Sequence, residues 1–168
     1  MKKYMFKLLA SFSLLLLFQL PVVALTESNQ LLRVQSIIES GTAPEGVVFE
    51  IVNRDTEYLD WALKEVEVLT QKLHIKYPHL DIAIVSHGPE QFALMDRNLN
   101  LNVPLKTLVM SLVNKDIDIH VCGTYAEYKG VDPVEFSKLV NVSAEGPAQL
   151  SDYIKLGYVR IKIIKNMQ

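Results

Sequence analysis

The stretch that decides the fold is GVVFEIVNRDTEYLDWALKEVEVLTQKLHIKYPHLDIAIVS, residues 46–86. Residues 47–52 are short, almost wholly apolar and rich in β-branched side chains, which is typical of a strand covered on both faces. Asp55 or Thr56 then caps a predicted helix, in which apolar side chains recur at helical spacing until a proline ends it. Residues 81–86 form a second such strand. A parallel pair is the simplest arrangement, because parallel strands need a crossover helix.

The same alternation continues to the end of the chain. An asparagine-rich segment is predicted as a loop, and Pro104 follows it at the first position of a helix. The later elements are a strand over residues 117–122, a short helix opening at Asp132, a strand over 140–143, a helix between Gly146 and Gly157, and a strand over 158–164. We therefore predict an α/β fold, in which a five-stranded, mainly parallel sheet is flanked by helices. The chemistry of such sheets lies at the carboxyl ends of their strands.

The N-terminal segment has the pattern of a secretory signal. Lys2, Lys3 and Lys7 make it positive, and an apolar run from residue 8 to residue 20 precedes small residues suited to signal peptidase. We predict that residues 1–24 are a cleavable signal peptide and that the mature protein is periplasmic. An uncleaved anchor is the alternative, but the apolar run is shorter than the ~20 residues that a bilayer crossing needs.

The mature chain is predicted to be one acidic domain. Signal cleavage removes three lysines and no acid, which leaves 14 basic and 19 acidic side chains and a net charge of −5. This balance argues against nucleic acid as a partner. Residues 25–45 are expected to form an N-terminal helix, over residues 29–39, and a connector. The helix docks on the main domain, residues 46–168, or on a neighbouring subunit. We expect no membrane contact after cleavage.

Cys122 is the only cysteine, and it falls where the third predicted strand ends. An unpaired cysteine in an exported protein is either buried and inert or kept for its reactivity. Gly123 permits a sharp turn, after which the N–H groups of Gly123 and Thr124 would face the sulfur and favour the thiolate. Tyr125 and Tyr128 could wall the pocket. The alternative is a cysteine packed like a small apolar residue.

Two histidines could serve this thiol. His87 ends the second strand, and if strands two and three are neighbours its ring could stabilise the thiolate or move a proton. The alternative is a histidine that caps its own turn, and Gly88 after it could head a small anion site. His120 shares a strand face with Cys122, so a metal site is conceivable, although a solvated face or a subunit contact is commoner. Lys129 is a further nearby cation.

Several familiar chemistries lack their motifs. The chain has no C-x-x-C pair for a dithiol cycle, no G-x-G-x-x-G or Walker lysine motif, and no G-x-S-x-G elbow. These chemistries are therefore excluded, and the thiol chemistry expected of Cys122 requires no metal or organic cofactor.

The motifs in their order resemble the DsrE/DsrF-like family, specifically its secreted single-domain members. The likeness spans residues 46–164. The matching motifs are D-T-E-Y-L at residues 55–59, V-S-H-G-P at 85–89, V-C-G-T-Y at 121–125 and G-Y-V-R-I at 157–161. The polar residues Asp116, Asp118 and His120 depart from the more apolar strand of this family.

The resemblance implies a flavodoxin-like sandwich that assembles as a homotrimer or homohexamer. It also implies that Cys122 accepts and passes sulfane sulfur as a persulfide, with His87 and Gly88 matching the family's H-G turn. The partners would be a sulfur donor or acceptor protein or a small thiol. The alternative function is a non-catalytic oligomeric module that binds a small ligand or metal in a pocket lined by His87, His120, Tyr125 and Tyr128, with Cys122 incidental.

Overall fold

The computed structural model describes residues 29–165, so the predicted signal peptide lies outside the described residues. Five strands form one sheet in which every pairing is parallel. The strands are β1 (Gly46–Ile51), β2 (Asp81–Ser86), β3 (Asp118–Cys122), β4 (Asn141–Ser143) and β5 (Tyr158–Lys162), in the spatial order β4-β3-β2-β1-β5. The predicted α/β fold with a five-stranded parallel sheet is confirmed.

Helices flank the sheet on both sides. They are α1 (Asn29–Glu39), α2 (Tyr58–Lys76), α3 (Asp96–Leu101), α4 (Val103–Val113), α5 (Gly123–Tyr128) and α6 (Gly146–Lys155), with 3₁₀ turns at Pro89–Leu94 and Pro133–Glu135. Within residues 29–165, none of the helices combines the length and the apolar character needed to cross a membrane.

The strand order explains how the helices divide between the two faces. From β1 to β4 each strand is added on the same side of its predecessor, and β5 then returns to the other side of β1. Parallel crossovers are right-handed, so a connection that runs in the opposite direction carries its helix on the opposite face. The reversal therefore places α6 on the face opposite to α2 and α4. The strand order differs from the flavodoxin-like order 2-1-3-4-5, in which the direction reverses after β2 and not after β4.

The face that carries α1, α2 and α4, here called the helical face, holds the main core. Alternate strand residues point into it and are almost completely buried, among them Phe49, Ile84 and Ile119. Val34 of α1 belongs to the same cluster, and α1 contacts both α2 and β5. The N-terminal helix therefore docks on the domain itself, which was one of the two predicted arrangements.

The opposite face, here called the α6 face, has a much smaller apolar cluster. It consists of Val48, Ala83, Val85, Leu150 and Tyr153, with Tyr158 packed against it. Toward the carboxyl ends of the strands this face carries charged, imidazole and thiol side chains instead. One face of the sheet is thus apolar, and the other is apolar beneath α6 and polar toward the carboxyl ends of its strands.

The asparagine-rich segment is helical, and the prediction of a loop there was wrong. Asn98 donates from its side chain to the carbonyl of Phe92 at 2.7 Å, and buried Leu99 anchors α3 in the core. Asn102 ends α3 and also caps α4, because its Oδ1 accepts the N–H of Leu105 at 3.1 Å. These asparagines act through local hydrogen bonds that composition alone does not distinguish from turn formation.

Candidate functional site

Cys122 is the last residue of β3 and carries a free thiol. Its Sγ accepts a hydrogen bond from the N–H of Tyr125 at 3.4 Å, so the sulfur caps the first turn of α5. The chain after Cys122 is therefore a helix and not only a turn. Cys122 is 5% exposed, which leaves the sulfur accessible only to a small reagent or after a local movement.

One side chain forms hydrogen bonds with both the N–H and the carbonyl of Cys122. Gln91 is fully buried in the 3₁₀ turn after β2. Its Oε1 accepts the N–H of Cys122 at 2.7 Å, and its Nε2 donates to the carbonyl of Cys122 at 3.2 Å. The amide thus satisfies both backbone groups and fixes the end of β3, since an unpaired buried peptide group is costly. Gln91 was not predicted from the sequence, because a glutamine in a turn carries no distinctive signal.

His87 lies beside Cys122 at the carboxyl edge of the sheet. β2 and β3 are adjacent, with Ser86 paired to Val121, so the next residues along both strands are neighbours. The start of α6 packs against both side chains. A β-carbon added at Gly146 would lie 2.5 Å from His87 Cβ and 3.3 Å from Cys122 Cβ. Only glycine permits this approach, so Gly146 lets α6 begin directly over the pair.

A buried carboxylate, Glu50 of β1, faces His87 on its other side. Its Oε1 lies 3.0 Å from His87 Nε2, and its Oε2 accepts Arg160 Nε at 2.9 Å and a second bond from Arg160 Nη2. Burial raises the pKa of Glu50, but the hydrogen bonds and charges of His87 and Arg160 outweigh burial and lower this pKa to about 2. Glu50 is therefore ionised at any physiological pH.

The ionised carboxylate fixes the orientation of the His87 ring. A carboxylate only accepts hydrogen bonds, so His87 Nε2 must carry the proton that it shares with Glu50. In the neutral ring, Nδ1 is then the basic nitrogen. Within residues 29–165 no hydrogen-bond partner of Nδ1 is found. The chemistry available to His87 is thus that of a base oriented by a carboxylate.

Glu50 and Arg160 were not predicted as site residues either. Glu50 is the one charged residue in the apolar strand GVVFEI, and a charge in the middle of a buried strand requires a partner. That requirement was a usable signal. The partner itself lies 110 residues away on β5, and only the return of β5 to β1 brings it into contact.

His120, the other predicted histidine, belongs to a separate hydrogen-bonded chain on the α6 face. Ser143 Oγ donates to Gln149 Oε1 at 3.0 Å, so it accepts from His120 Nδ1 at 2.9 Å. His120 Nε2 then accepts from the Tyr153 hydroxyl at 2.9 Å. Burial lowers the pKa of His120 although Asp118 opposes this, and burial raises the pKa of Tyr153 to about 12.

His120 is accordingly a neutral, doubly hydrogen-bonded ring. Both of its nitrogens are used within the protein, which leaves neither one ready to bind a metal. Within residues 29–165, no group of three or more histidine, cysteine, aspartate or glutamate side chains is arranged to hold a metal ion. The geometry gives no support to a metal shared by His120 and Cys122.

The prediction that Thr124 faces the sulfur was wrong. Its N–H and its hydroxyl both donate to the carbonyl of Ala144, at 2.9 and 2.7 Å, so Thr124 ties α5 to the segment after β4. The N–H of Tyr125 takes the position near Sγ instead. Gly123 allows the close approach of β4, since a β-carbon there would lie 3.2 Å from the carbonyl oxygen of Ser143.

The aromatic side chains after Cys122 pack on one another and on the 3₁₀ turn after β2. The ring of Tyr125 stacks on Phe92 with centroids 5.9 Å apart, and Phe92 stacks in turn on Phe136. Lys129 Nζ lies over the rings of Tyr125 and Tyr128, at 5.6 and 5.1 Å from their centroids. Tyr125 thus contributes its backbone to the site, and its ring and Lys129 form a surface aromatic cluster.

Gly88 serves the protein's own carboxylate, not an external anion. Its N–H donates to Glu90 Oε1 at 2.9 Å, and the same carboxylate accepts from Ser86 Oγ and from the N–H of Asn53. A β-carbon at Gly88 would lie 2.4 Å from Glu90 Oε2. Glu90 is fully buried and occupies the position predicted for a small anion. It joins the loops after β1 and β2, which carry the neighbouring site residues.

Comparison with known proteins establishes the fold alone. No protein-family model matches the chain, and no curated protein matches it. Among solved structures, MTH1491 from Methanobacterium thermoautotrophicum is similar with a TM-score of 0.56 and 17% identity, over 70% of this chain and 97% of that one. BT1422 from Bacteroides thetaiotaomicron is similar with a TM-score of 0.50 and 15% identity, over 71% and 95%. Both are described as proteins of unknown function.

Proposed function

We propose that this protein is a thiol-based carrier that accepts sulfane sulfur on Cys122 as a persulfide and passes it to an acceptor thiol. The single observation that carries the proposal is the position of the thiol at the carboxyl edge of the sheet. There its Sγ accepts the N–H of Tyr125 and its neighbour is the carboxylate-oriented His87. The resemblance to the DsrE/DsrF-like family is consistent with this role.

The loading step is a thiol exchange. Cys122 gives its proton to His87 Nδ1, and the thiolate attacks the outer sulfur of a persulfide R–S–SH. The bond between Sγ and the outer sulfur forms, the S–S bond of the donor breaks, and R–S⁻ leaves and takes the proton from His87. In the transfer step an acceptor thiolate attacks the outer sulfur of the Cys122 persulfide. That S–S bond breaks, and the Cys122 thiolate is regenerated.

Glu50 acts in this scheme as a positioning residue. Its carboxylate orients the His87 ring so that Nδ1 is the basic nitrogen, and it stabilises the imidazolium that forms when the thiol loses its proton. Arg160 keeps Glu50 ionised and balances its buried charge. Because Glu50 serves both partners, loss of its charge would affect His87 and Arg160 together.

The burial of Cys122 favours a small donor. With 5% of the residue exposed, a protein thiol could reach Sγ only after α6 or α5 moved. Inorganic polysulfide or a low-molecular-weight persulfide meets no such restriction. A partner protein is then better suited to the transfer step, after the outer sulfur has extended the side chain toward solvent.

The test is intact-mass spectrometry after exposure to inorganic polysulfide. We expect a gain equal to one sulfur atom that a reducing agent reverses, and no gain in Cys122→Ser. His87→Gln and Glu50→Gln should load more slowly and should change the pH profile of loading. His79→Gln, which removes an exposed histidine at the opposite end of β2, should load like the parent. A thiol that reacts with iodoacetamide but gains no sulfur contradicts the proposal.

The second candidate is a binding module in which Cys122 is structural. It is favoured by one observation, the burial of a cysteine whose backbone and sulfur already serve the fold through Gln91 and Tyr125. In that case Cys122→Ser should lower stability and leave ligand binding intact, and the native protein should resist iodoacetamide. The alkylation rate therefore separates the two candidates before any ligand is known.

We also propose that the protein works in the periplasm and as a homotrimer or homohexamer. The charge and hydropathy pattern of residues 1–24 supports export, and the family resemblance supports the assembly. N-terminal sequencing of protein recovered from the periplasm should begin at residue 25. Light scattering coupled to gel filtration measures the assembly, and a monomer over the working concentration range contradicts it.

A further inference from the structure

A cleft of about 330 Å³ lies between α1 and the free edge of the sheet at β5. Its lining combines one end of α1 with consecutive residues of the edge strand. Its polar lining includes Gln30, Arg33, Arg160 and Lys162, and Leu32 and Ile164 are apolar parts of the wall. The cleft does not include Cys122, because β1 and β2 lie between β5 and β3, although Arg160 in its lining also binds Glu50 beside His87.

The charge of the cleft is positive. Among the described residues that line it, three carry cationic side chains and none carries a carboxylate. Arg160 is balanced by Glu50, but neither Arg33 nor Lys162 takes part in an ion pair within residues 29–165. Two uncompensated cations in one concave site of an acidic protein favour an anionic ligand.

The edge strand adds a backbone donor to these cations. The N–H of Ile163 points toward β1, since it donates to the carbonyl of Glu50 at 2.9 Å. Successive N–H groups of a strand point in opposite directions, so the N–H of Lys162 points to the free edge. An anion in the cleft would therefore meet a peptide N–H as well as side-chain charges.

Gln30 contributes a buried acceptor to the same cleft. It is 2% exposed, and its Nε2 donates to the carbonyl of Ile164 at 3.0 Å. Its Oε1 is buried and has no hydrogen-bond partner within residues 29–165. Exchanging the two amide atoms would place an oxygen against the Ile164 carbonyl, so the free atom is the oxygen. A buried carbonyl oxygen without a donor is costly, and a ligand with an O–H or N–H group would satisfy it.

We propose that this cleft binds a small anion that carries a hydrogen-bond donor next to its charge, such as a 2-hydroxycarboxylate. The carboxylate pairs with Arg33 and Lys162, and the hydroxyl donates to Gln30 Oε1. The two requirements come from different residues, so they can be tested separately. The site goes beyond the sulfur-carrier proposal and does not depend on it.

The test compares glycolate with acetate, which share a carboxylate but differ in the hydroxyl. Titration calorimetry at constant ionic strength should give saturable binding of glycolate at one site per chain, several-fold tighter than acetate. Arg33→Gln and Lys162→Gln should each weaken glycolate binding by about tenfold. Lys129→Gln removes an equal charge from the aromatic cluster and should change nothing.

Three results would overturn the proposal. The first is the absence of saturable binding by glycolate and acetate. The second is equal weakening in Lys129→Gln, which would indicate general charge attraction. The third is loss of binding in Cys122→Ser, which would place the anion at the thiol site. Equal affinities for glycolate and acetate would overturn the role given to Gln30 Oε1.

Discussion

The two faces of the same sheet differ in what their alternate residues do. On β1, Phe49 points to the helical face and is buried in the main core, and its neighbour Glu50 points to the α6 face and binds His87 and Arg160. On β3, Val121 likewise points to the helical face and is buried, and Cys122 points to the α6 face, where its sulfur caps α5. One face supplies most of the apolar burial. The opposite face can therefore hold charges and a thiol that a close-packed core would exclude.

The polar face remains stable because its buried groups are paired. Glu50 has three hydrogen bonds from two side chains, and both nitrogens of His120 have partners. Helix α6 covers this face with one apolar cluster, while α1, α2 and α4 cover the other. We therefore expect truncation of an apolar side chain to lower the free energy of unfolding more on the helical face than on the α6 face. The pH dependence of that free energy should come from the titratable groups of the α6 face.

The largest expected difference comes from matched leucine truncations on the two faces. Leu63→Ala in α2 should lower the free energy of unfolding toward the upper part of the range of about 2–5 kcal/mol, and Leu150→Ala in α6 toward the lower part. Leu63 belongs to the larger cluster, where a cavity can relax less. Urea unfolding measures both, with exposed Leu156→Ala as the control. An equal or reversed order would mean that α6 carries a core of its own.

Acid should weaken the protein through Glu50. Its pKa is about 2 in the folded protein against an ordinary 4.5, so ionised Glu50 stabilises the fold fully above pH 4.5. This contribution, of the order of 3 kcal/mol, should be lost as the pH falls from 4.5 to 2. Urea unfolding across this range measures it, and Glu50→Gln should remove this part of the slope. Asp152→Asn, an exposed carboxylate at the surface of α6, serves as the control.

Gln91 holds the end of β3 at Cys122, and its loss should be felt at the thiol. Gln91→Leu leaves the N–H of Cys122 without its partner and removes the Gln91 bond to the Cys122 carbonyl, which should cost about 1–3 kcal/mol. Because the end of β3 is then less firmly held, iodoacetamide should react with Cys122 faster. A time course followed by mass spectrometry gives the rate. Unchanged alkylation together with the stability loss would show that Gln91 serves the fold alone.

The smallest effect should come from His120. Burial lowers its pKa in the folded protein, so the unfolded chain takes up the proton first as the pH falls below 6.5. Stability should therefore decrease from pH 6.5 downward, until the folded protein also binds the proton, and should be unaffected above 6.5. His120→Gln should flatten this slope, and His79→Gln should leave this contribution in place.

Tyr153→Phe should lower the free energy of unfolding by about 1 kcal/mol, because it removes the hydrogen bond from the Tyr153 hydroxyl to His120.

Much of the fold could be predicted from local pattern. The predicted bounds of α1 and β2 agree with the structure, because hydrophobic periodicity follows directly from which side chains face a core. The asparagine-rich segment was mistaken for a loop, since Asn98 and Asn102 cap and link helices there through specific partners. Local composition does not reveal such partners.

The candidate site could be predicted only in part. Cys122 and His87 stood out because cysteine and histidine are rare and lie at strand ends, and β2 and β3 are indeed adjacent. Glu50, Gln91 and Arg160 act through contacts between elements far apart in the chain. Thr124 lay next to the sulfur in sequence and bonds elsewhere, because the direction of an N–H depends on the helix that begins there.

By itself the sequence determined which segments are strands and helices and which side chains share a strand face, since both depend on periods of a few residues. Only the tertiary structure decided which face each helix covers and which partners the polar residues find. The return of β5 to the far side of β1 placed α6 on the opposite face and brought Arg160 to Glu50. The physical reason is that these contacts join residues between 23 and 110 positions apart, whereas a local sequence pattern covers only a few residues.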